Sequence, residues 1–362
     1  MKKRILSVAT AIMMLAVSAC NATLPDASTG DDTDDSSEVT ETTEETASET
    51  TEETTAETTQ TTTETTEETT VTETTTQQTS SSTTSASDPN GLSFGYETSE
   101  PVITLNSAGL LQFDAYRDGL TMSCQMYLPA GEGPFPTVIL GTGIRESCDE
   151  YIELAQNFKD NGIACVLFDF CGGPDESRFQ SHSEGEMLDM TLSSEVKDMN
   201  AVLDAVLTLD QTDKDNVFLF GHSFGGEVAT VVASQREDDI NSLILMEPAY
   251  QMADIISLVL IPGIQIPDYV TTPFYLGHDF LEEMIGFDIY SYMSGYDDNV
   301  ILFQGDTGDS LGLLFPQYYE WAGDTFPSMR LEVIQGGDHV FSGDAGRVMF
   351  DLCMEFINEN KI

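Results

Sequence analysis

Basic residues are scarce in this chain of 362 residues: 13 Lys and Arg stand against 63 Asp and Glu, for a formal net charge of -50. A nucleic-acid binder needs a basic face, so that class of partner is excluded. Polyanionic substrates are disfavoured too, because the summed field repels them. Long apolar runs are also missing, and beyond the N-terminus no stretch is long and apolar enough to span a bilayer. Only 4 His are present, which leaves few candidates for chemistry that needs an imidazole. The 6 Cys do not fall into the short paired spacings of zinc motifs.

What the N-terminus does contain is a targeting pattern. Lys2-Lys3-Arg4 form a basic n-region, and Ile5 to Val17 form an apolar stretch too short for a stable span. Val17-Ser18-Ala19-Cys20 resembles the bacterial lipobox, so residues 1–20 are expected to be a lipoprotein signal peptide with lipidation at Cys20. The resemblance implies a membrane partner through that lipid anchor, and a place on the bacterial cell surface at the outer face of the cell membrane. Residues 21–91 are Thr, Glu, Ser and Asp with almost no apolar side chains and no Lys or Arg. Such a segment cannot bury enough surface to offset its ordering entropy, and is expected to be a disordered linker spanning about 45 Å as a flexible chain. It holds 18 of the 63 acidic residues, so the remainder is itself strongly acidic. Without Cys20 five cysteines remain, Cys124, Cys148, Cys165, Cys171 and Cys353, an odd number that leaves at least one thiol without a partner in the chain.

From residue 92 to 362 strand and helix patterns alternate. Val102 to Leu105, Leu120 to Leu128, Phe135 to Leu140, Ala164 to Phe170, Asn216 to Phe220, Ser242 to Met246, Val300 to Phe303 and Leu331 to Ile334 read as strands. Tyr151 to Asp160, Ser194 to Leu207, Glu227 to Ser234 and Asp344 to Asn358 carry helical spacing. This alternation predicts an α/β fold with a mostly parallel central sheet and helices on both faces, whose active site lies beyond the carboxyl ends of the strands.

One segment carries chemistry. Gly221-His222-Ser223-Phe224-Gly225-Gly226 follows an apolar strand and opens a helix. Gly-x-Ser-x-Gly in that context is a nucleophile elbow: the turn lifts the Ser223 hydroxyl clear of the sheet, and glycines allow strand and helix to approach closely. Its base must be an imidazole. His222 lies inside the elbow with its side chain expected to point away from that of Ser223. His182 falls in a polar loop, and His278 in an irregular stretch. His339, in Gly336-Gly337-Asp338-His339-Val340-Phe341, follows a strand and comes after the serine in chain order, and is the expected general base and acid. A carboxylate should hold it. Asp309 is favoured, with Asp306 and Glu247 as alternatives. The oxyanion hole needs two backbone donors. Phe224, directly after the nucleophile, supplies one, and Gly143 in the loop after Phe135–Leu140 supplies the other, with Ile144 the alternative.

These motifs resemble the α/β-hydrolase superfamily, and within it the bacterial cinnamoyl and feruloyl esterase-like serine hydrolases, over most of Phe113 to Phe356. The resemblance rests on Phe168-Asp169-Phe170, on the elbow, on Leu243-Ile244-Leu245, on residues 301–309 and on the Gly-Gly-Asp-His segment. It implies a Ser223, Asp309 and His339 triad hydrolysing carboxylic esters through an acyl-enzyme, with no metal or organic cofactor. It also implies a cap inserted over residues 249–299, where Tyr250, Tyr269, Phe274, Tyr275, Phe280 and further aromatics either pack as a small core or contact an aromatic acyl group. Feruloyl, cinnamoyl or acetyl esters of plant polysaccharide are the substrates this implies. The sequence departs from the family where Gln304 replaces a histidine, Gly308 stands where the family has its acid, and Gly141-Thr142 replaces His-Gly. Two other readings remain: a serine peptidase of the same fold, and a catalytically inactive tethered binding module.

Overall fold

Five apolar runs set the architecture. Val138 to Leu140, Ala164 to Phe168, Val217 to Phe220, Leu243 to Met246 and Val300 to Phe303 are buried without a break. Side chains alternate between the two faces of a strand, so an unbroken buried run means that both faces are covered. Val138, Leu140, Phe218, Phe220, Ile244, Ile301 and Phe303 pack into one cluster. Ile139, Leu219, Leu243, Leu245 and Leu302 belong to another.

The computed structural model describes residues 88–174, 180–260, 265–271, 275–307 and 315–362. The expected signal peptide with Cys20, nearly all of the expected linker, Phe274 and Asp309 lie outside the described residues. The strands are β1 (Val102–Ser107), β2 (Leu110–Arg117), β3 (Leu120–Tyr127), β4 (Phe135–Gly141), β5 (Ala164–Phe168), β6 (Thr212–His222), β7 (Ser242–Met246), β8 (Tyr269–Val270), β9 (Leu276–Gly277), β10 (Asn299–Gly305) and β11 (Met329–Ile334). The helices are α1 (Ile152–Asp160), α2 (Leu192–Thr208), α3 (Phe224–Gln235), α4 (Met252–Val259), α5 (His278–Met284), α6 (Tyr290–Met293), α7 (Phe315–Gly323) and α8 (Asp344–Asn360). Nine strands form one sheet in the order β1-β2-β3-β5-β4-β6-β7-β10-β11. The first pairings, β1 with β2, β2 with β3 and β3 with β5, are antiparallel. Every pairing from β5 to β11 is parallel. The parallel sheet flanked by helices is the predicted fold class.

Strand β2 was not among the expected strands. Its inward positions are Leu111, Phe113, Ala115 and Arg117, and the last of these breaks the apolar alternation. Arg117 is buried because its guanidinium pairs with the fully buried Asp198 of α2, with Nη2 and Nε each 2.7 Å from Oδ1. Burial raises Asp198 to about 6, even though Arg117 and the Cys171 N–H pull it down.

Between β7 and β10 the chain forms α4, the two-stranded β8–β9 hairpin, α5 and α6. Tyr250, Phe280, Phe287, Tyr292 and Tyr296 are buried there, whereas Tyr269 and Tyr275 are exposed. Most of the aromatics described in this segment therefore pack into the core that covers one face of the sheet, and do not form a separate one. All five described cysteines are buried free thiols. Among the described residues no helix is long and apolar enough to cross a membrane.

Candidate active site

Ser223 stands between the end of β6 and the start of α3 with φ 52° and ψ -120°. A non-glycine residue there carries strain of about 1–3 kcal/mol and persists only where its surroundings fix it. Here the Ser223 N–H donates to the Met246 carbonyl at 2.9 Å, and the Ser223 carbonyl accepts from the N–H groups of Gly226 at 3.0 Å and Ala249 at 2.9 Å. The flanking glycines are needed for approach. A Cβ on Gly221 would meet the Gly225 carbonyl oxygen and Gly226 Cα at 2.5 Å, and one on Gly225 would meet the carbonyl oxygens of Gly141 and Thr142. Phe224 opens α3, so its N–H has no acceptor within the helix and suits the expected oxyanion role. Its ring is buried against Phe280, with centroids 5.2 Å apart.

His339 is half-buried on the loop after β11. That loop is tied to the end of β10: the Gly336 N–H donates to Asp306 Oδ1 at 2.6 Å, and the Thr307 hydroxyl donates to the Gly337 carbonyl at 2.5 Å. Asp338 Oδ1 accepts from the Ser342 N–H at 2.7 Å, closing the far side of the turn. The elbow and this loop meet through His222. Its Nε2 lies 2.9 Å from the His339 carbonyl oxygen, and the two imidazole rings have centroids 4.7 Å apart. The expected nucleophile and base are thereby brought to the same edge of the sheet.

His222 was expected only to point away from Ser223. It is fully buried, and its Nδ1 lies 2.8 Å from Glu146 Oε2 and 2.6 Å from the Tyr151 hydroxyl. The Tyr151 hydroxyl also reaches Glu146 Oε2 at 2.5 Å. With the Tyr151 hydroxyl donating to Glu146, Nδ1 faces acceptor oxygens and Nε2 faces the His339 carbonyl, an arrangement that favours the imidazolium. Burial opposes that charge, but Glu146 outweighs it and raises His222 above its ordinary value. Burial likewise opposes the Glu146 carboxylate. The His222 charge, together with hydrogen bonds from His222, Tyr151 and the Gly143 N–H, brings it down to about 2. Sequence reasoning missed this group because Glu146 and His222 lie far apart in the chain. The available signal was a Glu and a Tyr in the loop following β4, the strand beside the elbow strand.

The N–H expected as the second oxyanion donor already has an acceptor. The Gly143 N–H donates to Glu146 Oε2 at 2.7 Å. A half-buried, ionised carboxylate is a strong acceptor, and Gly143 can serve an oxyanion only by giving up that bond.

Of the three acids considered for the triad, Asp309 lies outside the described residues. Asp306 is exposed and holds the Gly336 N–H. Glu247 is buried at the end of β7, where Oε1 accepts from the Gly305 N–H at 2.5 Å and Oε2 from the Tyr319 hydroxyl at 2.8 Å. Glu247 thus joins β7, β10 and α7.

Several known proteins resemble this chain in sequence or in fold. A family model described as serine aminopeptidase, S33, matches residues 133–269, rather more than a third of the chain. Mouse (Mus musculus) monoglyceride lipase is 30% identical over 132 residues, covering 36% of this chain and 40% of its own. The quorum-quenching protein AidA of Acinetobacter baumannii is 28% identical over 142 residues, covering 38% and 43%. The chain thus spans about two fifths of the length of these curated relatives. Among solved structures, Est1E from Butyrivibrio proteoclasticus with ferulic acid bound superposes with a TM-score of 0.60 at 19% identity, over 68% of this chain and 98% of that one. Acetyl xylan esterase 1 from a Thermoanaerobacterium species gives 0.53 at 15% identity, over 73% and 88%. In strand order and elbow, over most of its described residues, the chain has the α/β-hydrolase fold.

Proposed function

We propose that this protein is a serine esterase that hydrolyses carboxylic esters through an acyl-enzyme. The observation that carries the reading is Ser223, held in a strained conformation between β6 and α3 while His222 ties the elbow to the His339 loop. In this reading Ser223 Oγ attacks the ester carbonyl and His339 takes its proton. The tetrahedral oxyanion is held by the Phe224 N–H and by a second N–H from the loop after β4, Gly143 or Ile144. His339 then passes the proton to the leaving alcohol, and water releases the acid by the same route. Asp309 orients the His339 ring. No metal or organic cofactor enters any of these steps. The substrate class is a feruloyl, cinnamoyl or acetyl ester on plant polysaccharide, supported by the superposition on a protein solved with ferulic acid bound and on an acetyl xylan esterase. Export through residues 1–20, lipidation at Cys20 and a tether over residues 21–91 belong to the same proposal and suit an extracellular polymer.

A peptidase is the second reading, because the matching family model is that of a serine aminopeptidase. Turnover of short nitrophenyl and methyl cinnamate esters, set against fluorogenic dipeptide amides, separates the two. The esterase reading expects ester turnover lost in Ser223→Ala and little or no amide cleavage. Amide cleavage exceeding ester cleavage would replace it, and no turnover of either, with carbohydrate binding unchanged in Ser223→Ala, would favour a tethered binding module.

A further inference from the structure

Away from the elbow, two loops bring together side chains that the proposed reaction does not use. Cys148 and Asp149 follow the loop after β4, and His182 lies in the loop after β5. The Cys148 Sγ, an Asp149 carboxylate oxygen and a His182 ring nitrogen all lie within 4.8 Å of one another. His182 Nε2 is 3.1 Å from Asp149 Oδ2. The thiol is fully buried, whereas Asp149 and His182 are exposed, with side chains 46% and 35% accessible. The three donors therefore make a shallow site with a closed floor and an open mouth.

Its framework is fixed from beneath. Asp169, fully buried just past β5, accepts the Cys148 N–H on Oδ1 at 2.7 Å and the His182 N–H on Oδ2 at 2.8 Å. One carboxylate thus holds both donor-bearing segments in register. Ser147 and Glu150 cap the short turn that carries Cys148 and Asp149. A second trio, His278, Asp279 and Glu282, is exposed throughout and holds no thiol.

The geometry points to a site for one divalent cation of the zinc class, bound by Cys148 Sγ, Asp149 and His182 with water completing a tetrahedron. Thiolate, imidazole and carboxylate are the donors such an ion takes, and three protein ligands with one open position is a recurrent arrangement for it. The sequence could not reveal it, because adjacent residues 148 and 149 meet a third donor from a different loop. Binding exchanges the thiol proton for the metal: the S–H bond breaks, the S–metal bond forms and the proton leaves to solvent. The surrounding acidity favours the cation, with Glu150, Asp169 and Glu184 on the same segments. The site lies three residues before Tyr151, whose hydroxyl reaches Glu146 and His222, so an occupied site would brace the wall next to the elbow.

The probes are zinc, by equilibrium dialysis of the purified full chain, and cobalt(II), by absorption. The expected wild-type result is one equivalent of tightly held zinc, about one proton released per ion near neutral pH, and a near-ultraviolet thiolate-to-cobalt charge-transfer band. His182→Ala and Asp149→Asn alter exposed side chains and should fold normally by near-ultraviolet circular dichroism. Each should weaken zinc binding by roughly 100-fold. Cys148→Ser should remove the charge-transfer band. A wild-type spectrum without that band overturns the proposal. So does zinc binding that His182→Ala leaves unchanged, which would mean diffuse binding to surface carboxylates.

Discussion

Replacing Glu146 by Gln removes the negative, half-buried member of the ion pair behind the elbow while keeping its size. The magnitude follows from the folded-state titration. A fall from the ordinary 4.5 to about 2 corresponds to about 3 kcal/mol of preference for the charged form. That is a large share of the ~5–15 kcal/mol of a typical domain. Because Glu146 is lowered, its contribution is fully present above about pH 4.5 and is lost as the pH falls through 2. Because His222 is raised, its share is fully present below its unfolded value of 6.5 and is lost as the pH rises through its folded value. The gap between wild type and Glu146→Gln should thus be widest from about pH 4.5 to 6.5 and narrow in acid. Urea unfolding at pH 5.5 and at successively lower pH measures it. A gap under about 1 kcal/mol at pH 5.5, or one that stays constant into acid, refutes the ion pair. A second readout is kinetic. The His222 imidazolium holds the His339 carbonyl, so the variant should lower kcat more than it raises KM.

Further expectations rest on separate features. Gly225→Ala drives a Cβ into the carbonyl oxygens of Gly141 and Thr142, and should cost about 3 kcal/mol or more, or prevent soluble expression, as a melting curve would show. Asp309→Ala should lower kcat by roughly a thousandfold or more if it is the triad acid, whereas Asp306→Ala, which only loosens the Gly336 turn, should cost far less in the same ester assay. Full activity in Asp309→Ala would shift the role to Asp306 or Glu247. Arg117→Met leaves the Asp198 carboxylate buried without its partner and should cost about 3–5 kcal/mol in urea unfolding.

Elements whose inward positions are all apolar were legible in the sequence. The runs in β4 to β7 and in β10 could be read because burial on both faces leaves no polar interruption. The elbow was legible because its glycines answer a local steric demand. Strand β2 was hidden because Arg117 occupies a core-facing position that only its distant partner Asp198 makes tolerable. The Glu146, Tyr151 and His222 group was hidden for a related reason: a charged pair has no periodicity, and its parts meet only when β4 and β6 align. Gly143 shows the limit from the other side. Its place in the loop after β4 was anticipated, but the acceptor that claims its N–H comes from a side chain three residues on.

The central claim is that Ser223 is a nucleophile activated beside the His339 loop. Intact-mass analysis after treatment with a fluorophosphonate tests it most directly. One stoichiometric adduct mapping to Ser223 is expected, absent in Ser223→Ala and strongly slowed in His339→Ala. A wild-type chain that stays unlabelled, or an adduct that persists in Ser223→Ala, would contradict it.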